Sequence, residues 1–264
     1  GFSPFEIAGN RQRDVNETSM AVSEIVEFVC ELGEIQRQHV YRGIVKAFED
    51  LGWLNDLPGS RLPTIAEFAN AVEQVEQGAR GKNARGRLLP LTDFGLFAEG
   101  AHEAFDPTGG GNGLIIDLSG VQLDSVKKAA SSFVLRKVYR DMFFWEQDST
   151  MKLNIVLDEA HRVLQDKTLP KLLKEGRKFG VSVVAASQSM ADFSKQVVDN
   201  VGTKIVFRTN YPNSKSAANL IRGRDGRDLS KNIEQLSVGE AYVSTPTLVI
   251  ARLTKMRDDS FGSN

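Results

Sequence analysis

Residues Met151 to His161 read M-K-L-N-I-V-L-D-E-A-H, an apolar run that stops abruptly at two adjacent carboxylates. Leu153, Ile155, Val156 and Leu157 supply the run, and Asp158 and Glu159 end it. An apolar stretch of this length suits a strand covered on both faces, as in the parallel sheet of an α/β domain. In such sheets ligands sit just beyond the carboxyl ends of the strands. A strand ending in Asp-Glu therefore delivers both acids to the edge where ligands bind. The plainer reading is that Asp158 caps the next helix, since Asp is a favoured N-cap.

Composition narrows the class. The 264 residues are 41% hydrophobic and 25% charged, which fits one large α/β domain or one domain with a substantial insertion. A formal net charge of −1 and a pI near 6.4 give no bulk attraction to nucleic acid or membrane, so any DNA contact must come from local patches. Cys30 is the single cysteine, which rules out an intramolecular disulfide and fits a reducing cytosol. His39, His102 and His161 are scattered without metal-site spacing. No apolar run is long enough to span a bilayer, and no signal peptide is visible.

In chain order, Gly1–Asn10 has no clear period, as if the chain began in mid-fold. From Glu17 to Leu51 apolar residues recur at helical spacing, with Gly33 and Gly43 as interruptions of one long helix or a helix pair. Leu57–Ser60 reads as a turn, and Pro63-Thr64 opens a helix to about Gln77. Gly113–Ser119 reads as a buried strand, and Asp124–Trp145 as an amphipathic helix whose face is marked by Val126, Ala130, Phe133, Val134, Lys137 and Val138. After the acid pair come a helix over Thr168–Lys178 stopped by Gly180, and a strand Val181–Ala186 leading into Ser187-Gln188-Ser189. A short helix with Val197 and Val198, a strand Thr203–Arg208 and a helix Ser214–Arg222 follow. Two strands, Gly239–Ser244 and Thr247–Leu253, form a hairpin through Pro246. Alternating strands and helices predict a layered α/β sheet, mostly parallel, with an antiparallel end.

Two glycine-rich stretches were candidates for a phosphate loop. Gly78–Arg87 is basic, but Gly78-x-x-Gly81-Lys82-Asn83 is two residues short of G-x-x-x-x-G-K-[ST], follows a helix, and lacks the Ser or Thr that would reach Mg²⁺. It reads as a surface loop. Gly109–Gly113 has no lysine and precedes a strand, so it reads as a turn.

The acid pair is followed by Glu175–Gly180, by Ala186-Ser187-Gln188-Ser189 at a strand end, and by the strand Thr203–Arg208. Together these resemble the C-terminal portion of a HerA/FtsK-superfamily ATPase, the RecA-like class of ring-shaped DNA pumps. Gly113–Gly120 resembles the I-I-D-L-S strand of that class, and Ser3–Ile7 its Pro-Phe element. The likeness runs from residue 1 to about residue 255 and is most specific from 113 to 210. It implies a helical insertion with the N-terminal part of the ATPase domain over 1–112, the RecA-like core over 113–256 and a disordered tail over 257–264. Family members carry a P-loop upstream of the Pro-Phe element. The chain therefore looks like a piece of a longer protein, or a degenerate paralogue, and is expected to turn over no ATP alone.

The resemblance also implies roles. Asp158 would hold Mg²⁺ through water, and Glu159 would be the catalytic base. Gln188 would sense the γ-phosphate or position water; otherwise it bonds nearby backbone. Arg177 resembles an arginine finger reaching a neighbouring subunit's ATP, although a cation in the last turn of a helix is also favoured by the dipole. His161 reads as a packing or capping residue. Arg222, Arg224 and Arg227 interleave with acids and read as a solvated turn, while Ser189–Lys195 and Arg80–Arg87 are weak candidates for a DNA pore. The implied protein is a cytoplasmic homo-oligomeric ring, a hexamer, using ATP and Mg²⁺ to move double-stranded DNA. A nuclease partner is implied too, since the long helical insertion resembles the HerA-like subunit of phosphorothioation-dependent restriction systems. The rival is a non-catalytic ATPase-like module that scaffolds a partner.

Overall fold

The computed structural model describes residues 2–7, 9, 11–53, 59, 61–77, 83–97, 106–111, 113–147, 150–223 and 225–256. Half of the basic Gly78–Arg87 loop (78–82), most of the 57–60 turn, Arg224 and the 257–264 tail lie outside them. Two compact units are present: residues 1–156 with 165–184, and residues 157–164 with 185–264.

The first unit is mainly helical. Helix α1 (Gln12–Cys30) and helix α2 (Glu34–Glu49) form the expected pair, broken where Glu31 turns left-handed at φ 52° and Gly33 caps α2. Helix α3 (Ile65–Glu76) starts at Thr64, whose hydroxyl accepts from the Glu67 amide while the Glu67 carboxylate accepts from the Thr64 amide. Each of these bonds satisfies an amide that the helix start leaves without an intrahelical partner. The short helix α4 (Leu89–Thr92) packs between α3 and the long helix α5 (Asp124–Asp141), which also crosses α1. The core of this unit joins Val22, Val26 and Val29 of α1, Ile44 and Phe48 of α2, Phe68 and Val72 of α3, and Phe133 of α5. Cys30 is buried in it, and burial pushes its thiol up to about 12, so it is inert at neutral pH.

Ser3–Ile7 anchors this unit. Phe5 is fully buried, with ring centroids 5.4 Å from Phe68 and 6.4 Å from Phe48. Arg136 of α5, also buried, donates to the Pro4 carbonyl at 3.2 Å. Glu6 meets Lys137 at 2.9 Å and also Arg140, and both cations pair with Asp141. Burial holds the Arg136 guanidinium down at about 10, still charged at neutral pH.

Strand β1 (Leu153–Leu157), helix α6 (Thr168–Glu175) and strand β2 (Val181–Ala185) follow. The Gly180 carbonyl accepts from the Lys152 and Leu153 amides at the start of the strand pair, and Ala186 bonds Leu157 at its end, so β1 and β2 run parallel. Gly180, at φ 75°, ends a 3-10 turn over Gly176–Phe179. A Cβ there would stand 2.3 Å from the Thr150 carbonyl, so only glycine fits this junction.

The second unit continues with helix α7 (Lys195–Asn200), strand β3 (Lys204–Phe207), helix α8 (Asn213–Leu220), helix α9 (Ser230–Glu234), strand β4 (Glu240–Ser244) and strand β5 (Arg252–Lys255). Strands β3, β4 and β5 form an antiparallel sheet in that order, with Val206 opposite Tyr242 and Tyr242 opposite Leu253. Val206 packs with Ala217, Ala218, Ile221 and Ile233 under that sheet. The chain is thus a mixed α/β fold with one parallel pair and one antiparallel sheet, and its helices account for most of the first unit.

Several expectations are corrected. Gly113–Ser119 forms no strand: no neighbouring strand among the described residues completes its ladder, and Ile115 stands 91% exposed. Strand β1 is not covered on both faces within this chain, because Val156 is 65% exposed, as is the alternate position Val184 on β2 at 51%. The hairpin holds, but its second strand starts at Arg252; residues 247–251 belong to the connection. The helix at Asp124 ends at Asp141 and passes into a 3-10 turn over Met142–Phe144. Helix α6 tightens into 3-10 geometry after Glu175.

Gly43 does not break α2; it lets α3 approach. A Cβ there would meet the Val72 side chain at 2.5 Å and its backbone at 3.0 Å. Gly43→Ala is expected to destabilise the protein by about 1–2 kcal/mol, overpacking outweighing the gain in helix propensity. Chemical denaturation checks this, and an unchanged midpoint would show that α2 and α3 separate freely.

Candidate functional site

The geometry at the acid pair begins with two backbone bonds. The Ala186 amide donates to the Leu157 carbonyl at 3.0 Å, and the Ala160 amide donates to the Ala186 carbonyl at 2.8 Å. The end of β1 and the end of β2 are therefore fixed side by side in the second unit. Asp158 and Glu159 leave the first strand at this edge, and Ser187, Gln188 and Ser189 leave the second.

Asp158, Glu159 and Gln188 are all exposed. Asp158 accepts the Glu159 amide on Oδ1 at 3.0 Å, which fixes the carboxylate against its own turn. It does not cap an α-helix; the chain enters a 3-10 turn over Ala160–Arg162. Glu159 adopts a left-handed conformation at φ 49°, ψ 45°, one of two described non-glycine residues with positive φ. Such a backbone costs on the order of 1–2 kcal/mol for a residue with a Cβ. Ala160, 1% exposed and tied to Ala186, holds the turn in place.

Gln188 sits between two pinned serines. Ser187 donates to the Asp192 carboxylate, and Ser189 Oγ accepts the Ala191 amide at 3.2 Å and contacts Asn213 at 3.5 Å. The flanking bonds fix the backbone while leaving the Gln188 amide outside. Ser189–Lys195, the pore candidate, is a 3-10 turn over Met190–Asp192 followed by the start of α7, with Lys195 paired to Asp199 at 2.9 Å.

Arg177 lies in the first unit, on the 3-10 turn that ends α6. It is exposed, and its guanidinium has no ion-pair partner among the described residues. The fold brings Asp158, Glu159 and Gln188 together and places Arg177 in a separate unit. His161 is exposed, which corrects its reading as a packing residue. Arg222 donates to the Gly226 carbonyl at 2.9 Å and Arg227 pairs with Asp225 at 3.3 Å, a self-contained turn. Sequence reasoning passed over Arg162, whose Nη2 lies 3.1 Å from Glu159 Oε2. Its only signal was a cation three residues after the second acid.

An exposed acid pair at the carboxyl end of a parallel strand, beside an exposed amide on the next strand, belongs to a RecA-like ATPase fold. Comparison with known proteins agrees. Residues 108–252 match the model of the type IV secretion-system coupling protein DNA-binding domain, and the chain belongs to that family, within the HerA/FtsK-type P-loop translocase ATPases. It is 24% identical over 201 residues to the DNA double-strand break repair helicase HerA of Sulfolobus acidocaldarius, covering 67% of this chain and 41% of that protein. Its fold matches VirB4 of Thermoanaerobacter pseudethanolicus at a TM-score of 0.70 and 18% identity, over 99% of this chain and 74% of that one. The plasmid coupling protein TrwB, solved with ADP and Mg²⁺, matches at 0.68 and 16% identity, over 99% and 72%. The matches to curated relatives span 21% to 41% of those proteins' lengths.

Glu159→Gly and Glu159→Ala both remove the carboxylate but differ in backbone preference. The glycine variant is expected to be more stable than the alanine variant by about 1 kcal/mol. Equal denaturation midpoints would show that the turn relaxes out of the left-handed region.

Proposed function

We propose that the full-length protein is an ATP-driven motor that moves double-stranded DNA through a homo-oligomeric ring, a hexamer, in the cytoplasm. The single observation that carries this reading is the shared edge of Asp158, Glu159 and Gln188, all exposed where β1 and β2 end. Residues 113–256 would form the ATPase core and residues 1–112 the helical insertion with the start of the domain. Among the described residues no helix is long and apolar enough to cross a membrane.

The residues fit Mg²⁺ and part of an ATP site. Asp158 offers an exposed hard oxygen donor at the strand edge. Such a carboxylate suits Mg²⁺, which keeps several waters and shares phosphate oxygens. Bound Mg²⁺-ATP would supply the electrophilic phosphoryl group and neutralise its charge. Glu159 would take the proton of the attacking water, and Gln188 would hydrogen-bond that water or the γ-phosphate. Arg177, exposed and without an ion-pair partner among the described residues, would reach the nucleotide of the neighbouring subunit. DNA contacts would be to phosphates, hence salt-dependent and indifferent to sequence. A partner such as a nuclease in a restriction or defence system belongs to the same proposal, on the resemblance of the helical insertion to the HerA-like subunit of such systems. The rival reading is a non-catalytic, ATPase-like module that scaffolds a partner.

In the full-length protein, Glu159→Gln is expected to lower ATP hydrolysis by about 100-fold or more while nucleotide binding is retained. Loss of binding would argue for a structural role of Glu159, and unchanged hydrolysis would remove Glu159 as the base. Mixing Arg177→Ala subunits with Glu159→Gln subunits is expected to restore part of the activity, because some junctions then carry both functional groups. No recovery at any mixing ratio would remove Arg177 from the neighbour's site.

A further inference from the structure

The left-handed backbone at Glu159 aims its side chain, and a second residue then fixes it. Glu159 precedes a 3-10 turn whose last residue is Arg162. The Arg162 amide donates to the Glu159 carbonyl at 3.4 Å, so the turn itself folds Arg162 back to Glu159. The guanidinium Nη2 reaches Glu159 Oε2 at 3.1 Å. The two side chains differ in exposure: Arg162 is 18% exposed and Glu159 53%. The cation is thus the sheltered partner, and the carboxylate remains open to solvent.

We propose that Arg162 is a positioning residue for hydrolysis: it holds one carboxylate oxygen of Glu159 so that the other faces the attacking water. The proposal rests on the reading of Glu159 as the base. A base held by a third group is the recurring arrangement in activated sites, because orientation converts a mobile acid into one poised at a fixed distance. A bond to one oxygen leaves the second free to accept the proton. Ion pairs with an exposed member contribute little to stability, so the effect of this one falls on catalysis rather than folding. No proton or electron passes through Arg162.

The test uses the full-length protein with Mg²⁺-ATP, measuring kcat, KM and melting temperature. Arg162→Ala is expected to lower kcat by about 10- to 100-fold, the cost of a misplaced catalytic group, with KM and melting temperature near wild type. Arg162→Lys should recover part of kcat, since it keeps the charge but loses the planar fork. In a Glu159→Gln background, Arg162→Ala should lower the residual rate no further. An Arg162→Ala protein with wild-type kcat, while Glu159→Gln is inactive, overturns the positioning role and leaves the base in place. Active Glu159→Gln overturns the base itself. Should Arg162→Ala fail to fold, Arg162→Gln keeps the aliphatic stem and is judged by the same criterion. Joint loss of kcat, KM and melting temperature in both variants overturns the proposal by marking a structural residue.

Discussion

The two hydrogen bonds at Ala186 do more for the functional edge than any side chain. One extends the strand pairing, the Ala186 amide donating to the Leu157 carbonyl, and the other carries it into the turn, the Ala160 amide donating to the Ala186 carbonyl. Without the second bond, the chain after Leu157 would be free to leave in several directions. With it, Asp158 and Glu159 are bracketed between two residues tied to the same partner. An acid pair at the end of a lone strand could point anywhere. An acid pair spliced to the next strand has a fixed position relative to Gln188, and that fixed relation is what the proposed catalysis requires.

The first unit applies the same logic with charge. Glu6 carries the chain's N-terminal stretch onto α5 through Lys137 and Arg140, while Phe5 fills the aromatic centre beside Phe48 and Phe68. Three cations and two anions lie close together at low exposure, so removing one member would leave a charge poorly compensated. Hydrophobic burial sets how strongly Phe5 holds; the ion group sets the orientation in which it holds. The consequence is that a five-residue element outside any helix or strand is anchored at three successive residues, Pro4, Phe5 and Glu6.

How much of this was legible depended on how local its cause is. The helix pair at Gly33, the cap at Thr64 and the strand before Asp158 were readable because capping, glycine and apolar runs act over a few residues. Lys137 was placed on the marked face of its helix by spacing alone, and it is buried. The Gly113–Ser119 strand was not legible, because an apolar run reports a wish for burial and not the presence of a partner to pair with. The register of β5 failed for a related reason: both 247–251 and 252–255 carry strand-forming residues, and the pairing of Val243 with Arg252 is decided across the sheet. Asp158, Glu159 and Gln188 came from motif spacing. Arg162 did not, since its relation to Glu159 follows from the left-handed backbone at Glu159 and the turn after it, which no sequence pattern announces.

That turn also explains why a glutamate occupies a conformation that suits glycine. The strained residue is the one whose side chain carries the proposed chemistry, and local rules are broken most often where function outweighs them. A right-handed Glu159 would continue the chain as an ordinary helix start, with its carboxylate directed along the first turn. The left-handed backbone reverses the chain in one residue, which lets Ala160 bond Ala186 and brings Arg162 over the carboxylate. Strain at one φ angle is thereby exchanged for a backbone bond and an ion pair. Position of the acid, rather than stability of the turn, is what the exchange secures.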